Sequence, residues 1–436
     1  MKDIRKLLHF VKPYWKQAVF ALAMLVAMVA LDLAVPRLVA QIIDKGIKQK
    51  DMTVVFTTSA LMLGISALSA LVAVLNSNSS IRVGESVARD LREAIFVKIQ
   101  NFSYGNLDRF STGKLMVRLT SDASAVQRLT QVSLRIGTRA PLSMIGSIVL
   151  MFVTSPALAS TMVPILVVSG AVIIFFSAKM EPLFRAVQQK LDRLNTVLQE
   201  NISGARLVKS FVRADREAAR FGTANDELTD GTVKVMQFMS SMTPVLTMFI
   251  NVGMVLVIWL GGMQAIEGRL SLGQIVAFTN YLLATMHPLI MMTQLSNTWA
   301  NGLASAKRIN EILDAEPDVA APHDPLSLPE SAPGEVNFDE VDFHYAGDSG
   351  QAVQPVLEDI RLRAEPGKTI AILGATGSGK STLVNLIPRF YDASGGEVAI
   401  DGIDVRRLSQ DSLLGHIGIV PQETILFSGT VRDNIR

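Results

Sequence analysis

Six long apolar segments constrain the fold of this chain most strongly. A helix needs about 20 apolar residues to cross the hydrocarbon of a bilayer, and six segments meet that requirement. The chain has 436 residues, 49% of them hydrophobic, with a mean hydropathy of +0.34, which is too apolar for an ordinary soluble enzyme. A set of buried helices in a large soluble protein is the disfavoured alternative. The predicted spans lie near Gln17–Ala40, Thr53–Asn76, Ile136–Thr154, Ala157–Ala178, Pro244–Ile266 and Leu272–Thr293.

The loops between these segments predict the orientation of the chain in the membrane. Spans three and four are separated only by Ser155-Pro156, and spans five and six by a turn around Gly268, so both pairs form tight hairpins. The loops 77–135 and 179–243 are long and rich in Lys and Arg. Because basic loops remain on the cytoplasmic side, we expect both loops and both termini to be cytoplasmic in a multi-pass protein of the cell membrane.

The first 16 residues form a basic amphipathic pattern with aromatic side chains, which suits a helix at the membrane surface. They also resemble the charged start of a secretory signal. The following apolar run continues past Asp32, longer than a signal core, and it shows no clear cleavage site. A retained first span is the preferred interpretation.

Both cytoplasmic loops carry an apolar seam at helical spacing. In the first loop the seam recurs every fourth residue, and in the second it follows a spacing of three to four residues. Breaks at Ser111-Thr112-Gly113 and at Ser203-Gly204 predict short transverse elements over Gly113–Leu119 and Gly204–Phe211. The seams consist of Val83, Val87, Leu91, Ile95 and Ile99 in the first loop and of Val187, Leu191, Leu194, Leu198 and Ile202 in the second.

A proline-rich linker divides the chain into two domains. The helical pattern ends near Leu313, and five prolines follow before Gly334. Beyond the linker, strand-like alternation over Val336–Tyr345 precedes apolar runs at Val356–Leu362 and Thr369–Leu373. We therefore predict an all-α membrane domain over 1–313, a linker over 314–333 and a mixed α/β domain over 334–436.

The second domain contains a phosphate-binding loop. Gly374–Ser381 reads GATGSGKS and matches G-x-x-x-x-G-K-[S/T] at every fixed position, between a predicted strand and a helix predicted over Ser381–Phe390. Its glycines permit unusual backbone angles and close approach of N–H groups to phosphate oxygens. Lys380 supplies positive charge and the Ser381 hydroxyl is a candidate Mg²⁺ ligand. A dinucleotide fingerprint fails, because Thr382 stands where its third glycine would be.

Composition excludes other classes of function. The net charge is +2, so bulk electrostatics indicate no nucleic-acid partner. The chain has no cysteine, which excludes disulfides, thiolate catalysis and cysteine-ligated metals.

The arrangement of six spans, two helical cytoplasmic loops, a linker and a phosphate loop resembles a half-transporter of the ABC exporter family over the whole chain. Further local patterns strengthen the resemblance. Residues 341–345 (VDFHY) look like the A-loop, which implies that Tyr345 stacks on adenine. Residues 419–423 (IVPQE) look like the Q-loop, which implies that Gln422 reaches Mg²⁺ and the attacking water. Residues 112–122 and 200–211 resemble the two coupling-helix regions.

The resemblance implies ATP and Mg²⁺ as cofactors and assigns a role to each matched residue. Lys380 and Gln422 would be catalytic, and Ser381 and Gln422 would bind the metal. The implied ATP-binding residues are Tyr345, Gly374, Ala375, Thr376, Gly377, Ser378, Gly379, Lys380, Ser381 and Thr382.

The sequence departs from the family pattern after the Q-loop. The signature motif, the Walker B strand, the D-loop and the switch histidine should all follow Gln422, and none is present before Arg436. Ser394–Glu397 and Val398–Asp401 imitate two of them but are better explained as a hairpin turn and its strand. We therefore expect a fragment with an incomplete α/β P-loop domain, exposed apolar strand surface and no hydrolysis on its own.

The expected function is ATP-driven export of a hydrophobic or amphipathic solute, drug-like or lipid, by a dimer of half-transporters in the bilayer. Lipid flipping and peptide export are alternatives within transport. A regulatory half that binds ATP without hydrolysing it is an alternative of another class. An unrelated membrane-anchored P-loop kinase or GTPase is disfavoured by Tyr345 and Gln422.

Charged residues also fall within the predicted spans. Asp32 and Arg139 are costly in lipid, so each should face the helix bundle, a cavity or a partner. Snorkelling of Arg139 towards the cytoplasmic end of its span is the preferred interpretation. For Asp32, a contact with substrate or a partner remains open. A group of methionines in the last two spans and just before them suits either an adaptable apolar cavity or ordinary core packing. The group consists of Met236, Met239, Met242, Met248, Met254, Met286, Met291 and Met292.

Overall fold

A computed structural model describes residues 2–345, 355–422 and 425–435. The chain divides into two compact units. The first, here called the membrane unit, comprises Met1–Leu91 and Asp122–Lys307. The second, here called the nucleotide unit, comprises Arg92–Ser121 and Arg308–Arg436. The nucleotide unit therefore includes the tip of the first long loop as well as the predicted α/β domain.

Helices dominate the chain up to the linker. Short π-helical turns continue α2 over Ile42–Ile47 and join α5 to α6 and α6 to α7. The helices are α1 (Lys2–Val11), α2 (Trp15–Gln41), α3 (Met52–Gln100), α4 (Tyr104–Arg109), α5 (Thr112–Val117), α6 (Ala123–Val132), α7 (Arg139–Thr154), α8 (Pro156–Ser203), α9 (Ala205–Ser210), α10 (Ala214–Ile266) and α11 (Leu272–Leu313).

Five helical stretches are long and apolar enough to cross a membrane, within the part of the chain that the structure describes. The beginning of α11, Leu272–Met286, is a shorter apolar helix. The sixth predicted span, near Leu272–Thr293, stays a prediction, because several side chains between 287 and 293 lie outside the described set. The five stretches are Lys6–Ile47, Met52–Gln100, Thr112–Thr154, Pro156–Ser203 and Ala214–Ile266.

The sharp turns between neighbouring spans have local chemical causes. Ser155 is extended, and its side chain accepts a hydrogen bond from the Leu158 N–H at 3.3 Å, which caps α8. Pro156 occupies the first helical position, where its missing N–H costs nothing. After α10, Gly268 adopts φ +75°, which lets the chain reverse before α11 begins.

The apolar seam of the first cytoplasmic loop is confirmed. Val83, Val87, Leu91 and Ile95 are fully buried along α3. The seam of the second loop is buried only in part.

In the second loop, Leu194 and Val197 are buried on α8, whereas Leu198 and Ile202 are exposed. The predicted continuous second seam is therefore wrong beyond Val197. The cause lies in the limited packing of this region, where the buried cluster consists only of residues on α8 and α10.

The nucleotide unit contains an antiparallel sheet of four strands, in the order β2-β1-β3-β4. The β3–β4 hairpin turns at Asp401 and Gly402, both at positive φ, as a two-residue hairpin requires. The predicted strand over Val398–Asp401 is confirmed for Val398–Ile400, but the predicted turn at Ser394–Glu397 is wrong, because Gly395–Glu397 belong to the same strand and the turn follows it. The strands are β1 (Val336–Phe343), β2 (Leu357–Ala364), β3 (Gly395–Ile400) and β4 (Ile403–Asp404), and the later helices are α12 (Lys380–Leu386), α13 (Gln410–Gly415) and α14 (Val431–Ile435).

The predicted strand over Thr369–Leu373 is wrong for the described residues, where this segment pairs with no other strand. Leu373 is 91% exposed, and Val420 in the Q-loop segment is 95% exposed. An extended segment becomes a strand only when neighbours satisfy its backbone groups, and the sheet of β1–β4 does not reach this one. Apolar surface is exposed on this segment, as expected, but it is not the surface of a strand.

The helix predicted over Ser381–Phe390 ends earlier, at Leu386. Pro388 has no N–H to continue the hydrogen-bond ladder, and Arg389 adopts φ +54°. The Phe390 N–H then bonds the Asn385 carbonyl at 3.1 Å, which closes the end of the helix.

The tips of the two long loops differ. The first prediction, a transverse element over Gly113–Leu119, is wrong, because α5 runs through a π-helical turn into α6. The separate short helix is α4, which lies between breaks near Phe102 and Phe110. In the second loop, α9 lies within the predicted range Gly204–Phe211.

Candidate functional site

The phosphate loop has the backbone conformation that its glycines predict. Gly377 and Gly379 both adopt φ +85°, which side chains with a Cβ rarely tolerate. A Cβ added at Gly374 would lie 2.7 Å from the Ser378 hydroxyl. The loop is therefore a tight turn that needs glycine at these three positions, and it leads directly into α12.

Lys380, the first residue of α12, folds back over this loop. Its Nζ donates hydrogen bonds to the carbonyl oxygens of Ala375 at 2.7 Å and Gly374 at 3.1 Å. These bonds satisfy the ammonium group within the loop. The side chain is thus positioned to exchange two carbonyl partners for phosphate oxygens, which are stronger, charged acceptors.

The residues present fit a nucleotide phosphate group and a magnesium ion. The glycine cradle leaves no side chain above Gly377, where an added Cβ would meet nothing within 4 Å. Ser381 is exposed at the start of α12. A serine hydroxyl and a glutamine carbonyl are hard oxygen donors of the kind that Mg²⁺ prefers.

Tyr345 lies beside the phosphate loop through Thr382. Their hydroxyl groups share a hydrogen bond of 2.9 Å. Thr382 is buried, at 6% exposure, whereas Tyr345 is 39% exposed. The structure therefore brings the predicted adenine-stacking residue to α12, with part of its ring accessible to a ligand.

An aromatic cluster supports Tyr345 from behind. Its ring meets the edges of Phe343, with centroids 4.9 Å apart, and of Tyr391, with centroids 5.3 Å apart. The Tyr391 ring also contacts Phe343 at 5.6 Å. Edge-to-face pairs at these distances are favourable, so the three rings hold one another in place.

Tyr391 also contacts the first long loop, a role that the sequence did not reveal. Its hydroxyl donates to Asp108 Oδ2 at 2.8 Å. Burial raises the pKa of Tyr391, and the bond to the Asp108 carboxylate raises that pKa further. The neighbouring Phe390 ring stacks on Tyr104 with centroids 4.1 Å apart. The aromatic pair after Pro388 is the signal that could have pointed to this contact.

The turn that presents Phe390 and Tyr391 is held rigidly. Arg389 is a non-glycine residue at positive φ, and its side chain is only 8% exposed. Its guanidinium donates to Asp392 at 2.7 Å and to the Ala320 carbonyl at 2.9 Å. Such a strained backbone persists only where surrounding contacts over-determine it.

The base of α4 is anchored on the linker. The buried Asn106 side chain accepts from the Ser103 N–H and hydroxyl, and its amide donates to the Glu316 carbonyl at 2.9 Å. The Ser103 hydroxyl also accepts from the Asp318 N–H. A Cβ added at Gly105 would lie 2.5 Å from the Asp318 carboxylate. The tip of the first loop is therefore packed closely against the linker.

No hydrogen bond joins Gln422 to the phosphate loop within the described part of the chain. Its side chain is exposed, and no hydrogen bond involves it among the residues that the structure describes. The following residues, Glu423 and Thr424, lie outside the described set. The roles of Gln422 in catalysis and metal binding stay predictions.

The membrane unit contains a polar group within its spans. Arg139 donates to Asp32 Oδ2 at 3.0 Å, and the Ser69 hydroxyl donates to Asp32 Oδ1 at 2.9 Å. Snorkelling of Arg139 is therefore wrong, because the attraction of Asp32 holds it across the helices. Both charged side chains retain exposed surface, 48% for Arg139 and 42% for Asp32.

An open groove of about 750 Å³ runs along α10. Its walls are mostly apolar, and three polar side chains interrupt them. Of the methionines noted in the sequence, Met248 lines the groove, whereas Met286 is buried in the helix core. The groove is lined by Thr243, Pro244, Thr247, Met248, Asn251, Val252, Val255, Leu256 and Trp259.

The tip of the second loop presents exposed apolar side chains. Leu207 is 63% exposed, Phe211 67% and Val212 87%. Val212 is also at positive φ. Apolar residues concentrated at a loop tip mark an interaction surface.

Comparison with protein families and known proteins agrees with this geometry. Residues 18–289 match the family described as the ABC transporter transmembrane region. Residues 357–435 match the family described as ABC transporter.

Individual relatives extend over nearly the whole chain. An uncharacterized ABC transporter ATP-binding protein of Bacillus subtilis, YfiB, is 36% identical over 99% of this chain and 74% of its own length. A Mycobacterium tuberculosis protein of the same description, MT1311, is 35% identical over 98% of the chain and 72% of its own length. An ATP-dependent lipid A-core flippase of Desulfotalea psychrophila is 32% identical over 99% of the chain and 74% of its own length.

Proposed function

Because the chain belongs to the ABC transporter family, as an exporter-type half-transporter of the membrane, we propose that it drives an amphipathic, lipid-like solute across the bilayer with ATP. One observation carries the proposal: a phosphate cradle built on Gly374, Gly377 and Gly379 occurs in one chain with five helices, among the described residues, that are long and apolar enough to cross a membrane. The two features together couple nucleotide binding to a membrane path.

The loop residues have defined tasks in this function. Backbone N–H groups of residues 374–379 would hold the phosphates, and Lys380 would leave its two carbonyl partners for phosphate oxygens. Tyr345 would leave Thr382 to stack on adenine. Bound Mg²⁺ would neutralise charge that develops on the phosphates, with Ser381 and Gln422 as its protein ligands.

The membrane unit favours a substrate with an apolar body and a polar head. Asp32, Arg139 and Ser69 form a partly exposed polar group about 22 Å along the helix from Gln17, at 1.5 Å per residue. Intramembrane charges mark substrate paths by default. The apolar groove on α10, with Asn251 among its lining residues, suits an acyl or ring system. The flippase activity named for three relatives supports a lipid.

A second half-transporter, identical or different, is the proposed partner. The exposed apolar tip at Leu207, Phe211 and Val212 would be covered in that dimer. The basic character of the loops favours a cytoplasmic location for the loop tips and both termini, where ATP is available.

The test is transport into inside-out proteoliposomes of the full-length protein. A fluorescent phospholipid analogue and a hydrophobic dye serve as separate substrates, with ATP, GTP or no nucleotide. We expect ATP-dependent movement of the phospholipid analogue, abolished in Lys380→Ala. Preference for the dye would replace the lipid assignment with drug export, and equal support by GTP would contradict the role of Tyr345.

The matched control is Lys368→Ala, which removes an exposed lysine of the same unit outside the phosphate loop. Transport should be unchanged in this variant. Transport that survives Lys380→Ala at the level of Lys368→Ala would refute ATP coupling altogether.

A further inference from the structure

We propose that a cavity where the chain turns from α8 to α10, here called the turn cavity, binds a small arylalkyl ammonium ion. The ring of the ligand packs against apolar side chains, and its ammonium group bonds the Glu217 carboxylate. The turn cavity has a volume of about 290 Å³. It shares no residue with the phosphate loop or with the groove along α10, so the inference goes beyond the proposed function and requires neither ATP nor a transported solute.

The turn cavity exists because the backbone reverses within a few residues. At Gly204, which follows α8, an added Cβ would lie 2.9 Å from the Glu200 carbonyl oxygen. Beyond α9, Val212 adopts φ +51°, and the Arg213 N–H bonds the Val208 carbonyl at 3.0 Å. These contacts hold α9 between the two long helices, and all three helices contribute residues to the wall of the cavity.

Apolar side chains form most of this wall. Val197 is 4% exposed, whereas Leu198 is 38% exposed and Phe221 37%. Leu198 and Phe221 are large apolar groups that a ligand ring would cover, and removal of apolar surface from water is favourable. The volume lies just below the range of about 300–1,000 Å³ that is typical of sites for drug-sized ligands. The turn cavity therefore suits one ring with a short chain.

One carboxylate lies among the apolar residues of the wall. Asn201 donates to Glu217 Oε2 at 2.9 Å. Arg220 Nη1 is 3.4 Å from the same oxygen, whereas its Nη2 donates to Glu200 at 2.7 Å. Within the described part of the chain, Glu217 Oε1 accepts no hydrogen bond. Glu217 thus lines the cavity and retains a carboxylate oxygen for a donor on a ligand.

The charges around Glu217 favour a cationic donor. The carboxylates of Glu200 and Glu217 share the single guanidinium of Arg220, which leaves this group with one negative charge. Arg216 precedes Glu217, but adjacent residues on a helix do not face each other. An ammonium group is a donor only, and its bond to a carboxylate is stronger than that of a neutral hydroxyl. A primary ammonium beside a ring therefore matches both the walls and the charge.

The experiment uses phenethylamine as the probe, which is protonated at neutral pH as a lysine side chain is. Its binding is measured by amide hydrogen exchange of residues 197–221, in the full-length protein in lipid nanodiscs without nucleotide. We expect saturable protection of these residues. The uncharged analogue 2-phenylethanol should need a concentration about tenfold higher, or more, for half-maximal protection, as loss of a hydrogen bond to a charged group predicts.

Two variants separate the carboxylate from the apolar wall. Glu217→Gln retains an acceptor oxygen but loses the charge, so phenethylamine should bind no better than 2-phenylethanol, whose binding should be retained. Phe221→Ala should weaken both probes to a similar extent. An unchanged preference for phenethylamine in Glu217→Gln would overturn the proposal. Loss of both probes in that variant would show that Glu217 only maintains the local structure, and would overturn it as well.

The matched control is Glu227→Gln. Glu227 also lies on α10 and accepts from Arg193 at 2.8 Å, but it is not among the residues that line the turn cavity. The half-maximal concentration of phenethylamine should equal that of the parent protein. Residues 197–221 that are protected before the probe is added, and do not respond to it, would show that another part of the assembly fills the cavity, which would refute a ligand site.

Discussion

Alanine at two glycines of the phosphate loop should destabilise the nucleotide unit to different extents. Gly377 and Gly379 share φ +85°, so each substitution forces a Cβ into the left-handed region at a cost of about 1–2 kcal/mol. Only Gly379 has close neighbours: its added Cβ would lie 2.8 Å from Leu357 Cδ2 and 3.1 Å from the Val356 carbonyl oxygen. At Gly377 the added Cβ meets nothing within 4 Å.

The contact at Gly379 adds an overpacking cost of about 1–3 kcal/mol. Leu357 can rotate away, but the Val356 carbonyl is backbone that precedes β2 and cannot. We therefore expect Gly379→Ala to lose about 2 kcal/mol more than Gly377→Ala. That difference corresponds to about 30-fold in the protection of amides that exchange by opening of β2 and α12.

Hydrogen exchange by mass spectrometry, without nucleotide, is the suitable assay. The three tryptophans, Trp15, Trp259 and Trp299, all belong to the membrane unit, so their fluorescence does not report on this region. Peptides over Leu357–Ala364 and Lys380–Leu386 report directly. Equal losses of protection in the two variants would refute the reasoning, because the close contacts with Leu357 and Val356 exist only at Gly379.

Three further changes test other contacts. The raised pKa of Tyr391 favours its neutral form, so the stability that Tyr391 contributes should persist through neutral pH and be lost only as the pH rises through the folded-state pKa. In an ultraviolet titration, Asp108→Ala should move the ionisation of Tyr391 to lower pH. The pKa should stay above that of a free tyrosine, since burial is the larger cause of the shift. Asp32→Ala should lower the free energy of unfolding, measured by thermal melting in detergent, by about 1–3 kcal/mol, which is less than loss of a fully buried pair would cost. Adding Arg139→Ala should restore part of that stability. A double variant without any restoration would contradict the ion pair. Asn106→Ala should cost about 1–3 kcal/mol and raise hydrogen exchange in residues 314–326, because it leaves the Glu316 carbonyl without its partner; unchanged exchange there would contradict the anchoring of α4.

Much of the membrane unit followed from patterns within single segments. The apolar runs, Ser155-Pro156 and Gly268 predicted where long helices lie and turn, because hydropathy, capping and positive φ act within a few residues. The seam at Val83 and Leu91 followed from periodicity for the same reason. The prediction that Leu198 and Ile202 continue the second seam was wrong, because burial of a side chain depends on a neighbouring element to pack against and not on spacing alone.

The candidate site shows the same difference between features that depend on local sequence and features that depend on distant partners. Glycines at 374, 377 and 379 predicted the cradle, since the loop conformation is encoded in its own residues. The strand at Thr369–Leu373 was predicted wrongly, because a strand exists only with partners to satisfy its backbone. Contacts made by Tyr391 escaped prediction, since the aromatic pair after Pro388 indicates that a contact exists but does not identify the partner.

The amino-acid sequence alone therefore specified the membrane helices, the phosphate loop and the family to which the chain belongs. All three can be predicted from residues that lie near one another along the chain. The tertiary structure alone decided that Arg139 pairs with Asp32 and that Tyr391 joins Tyr345 to Asp108. These partners are 107 and 283 residues apart in the two hydrogen-bonded pairs, and only the packed chain brings such distant groups within hydrogen-bond reach.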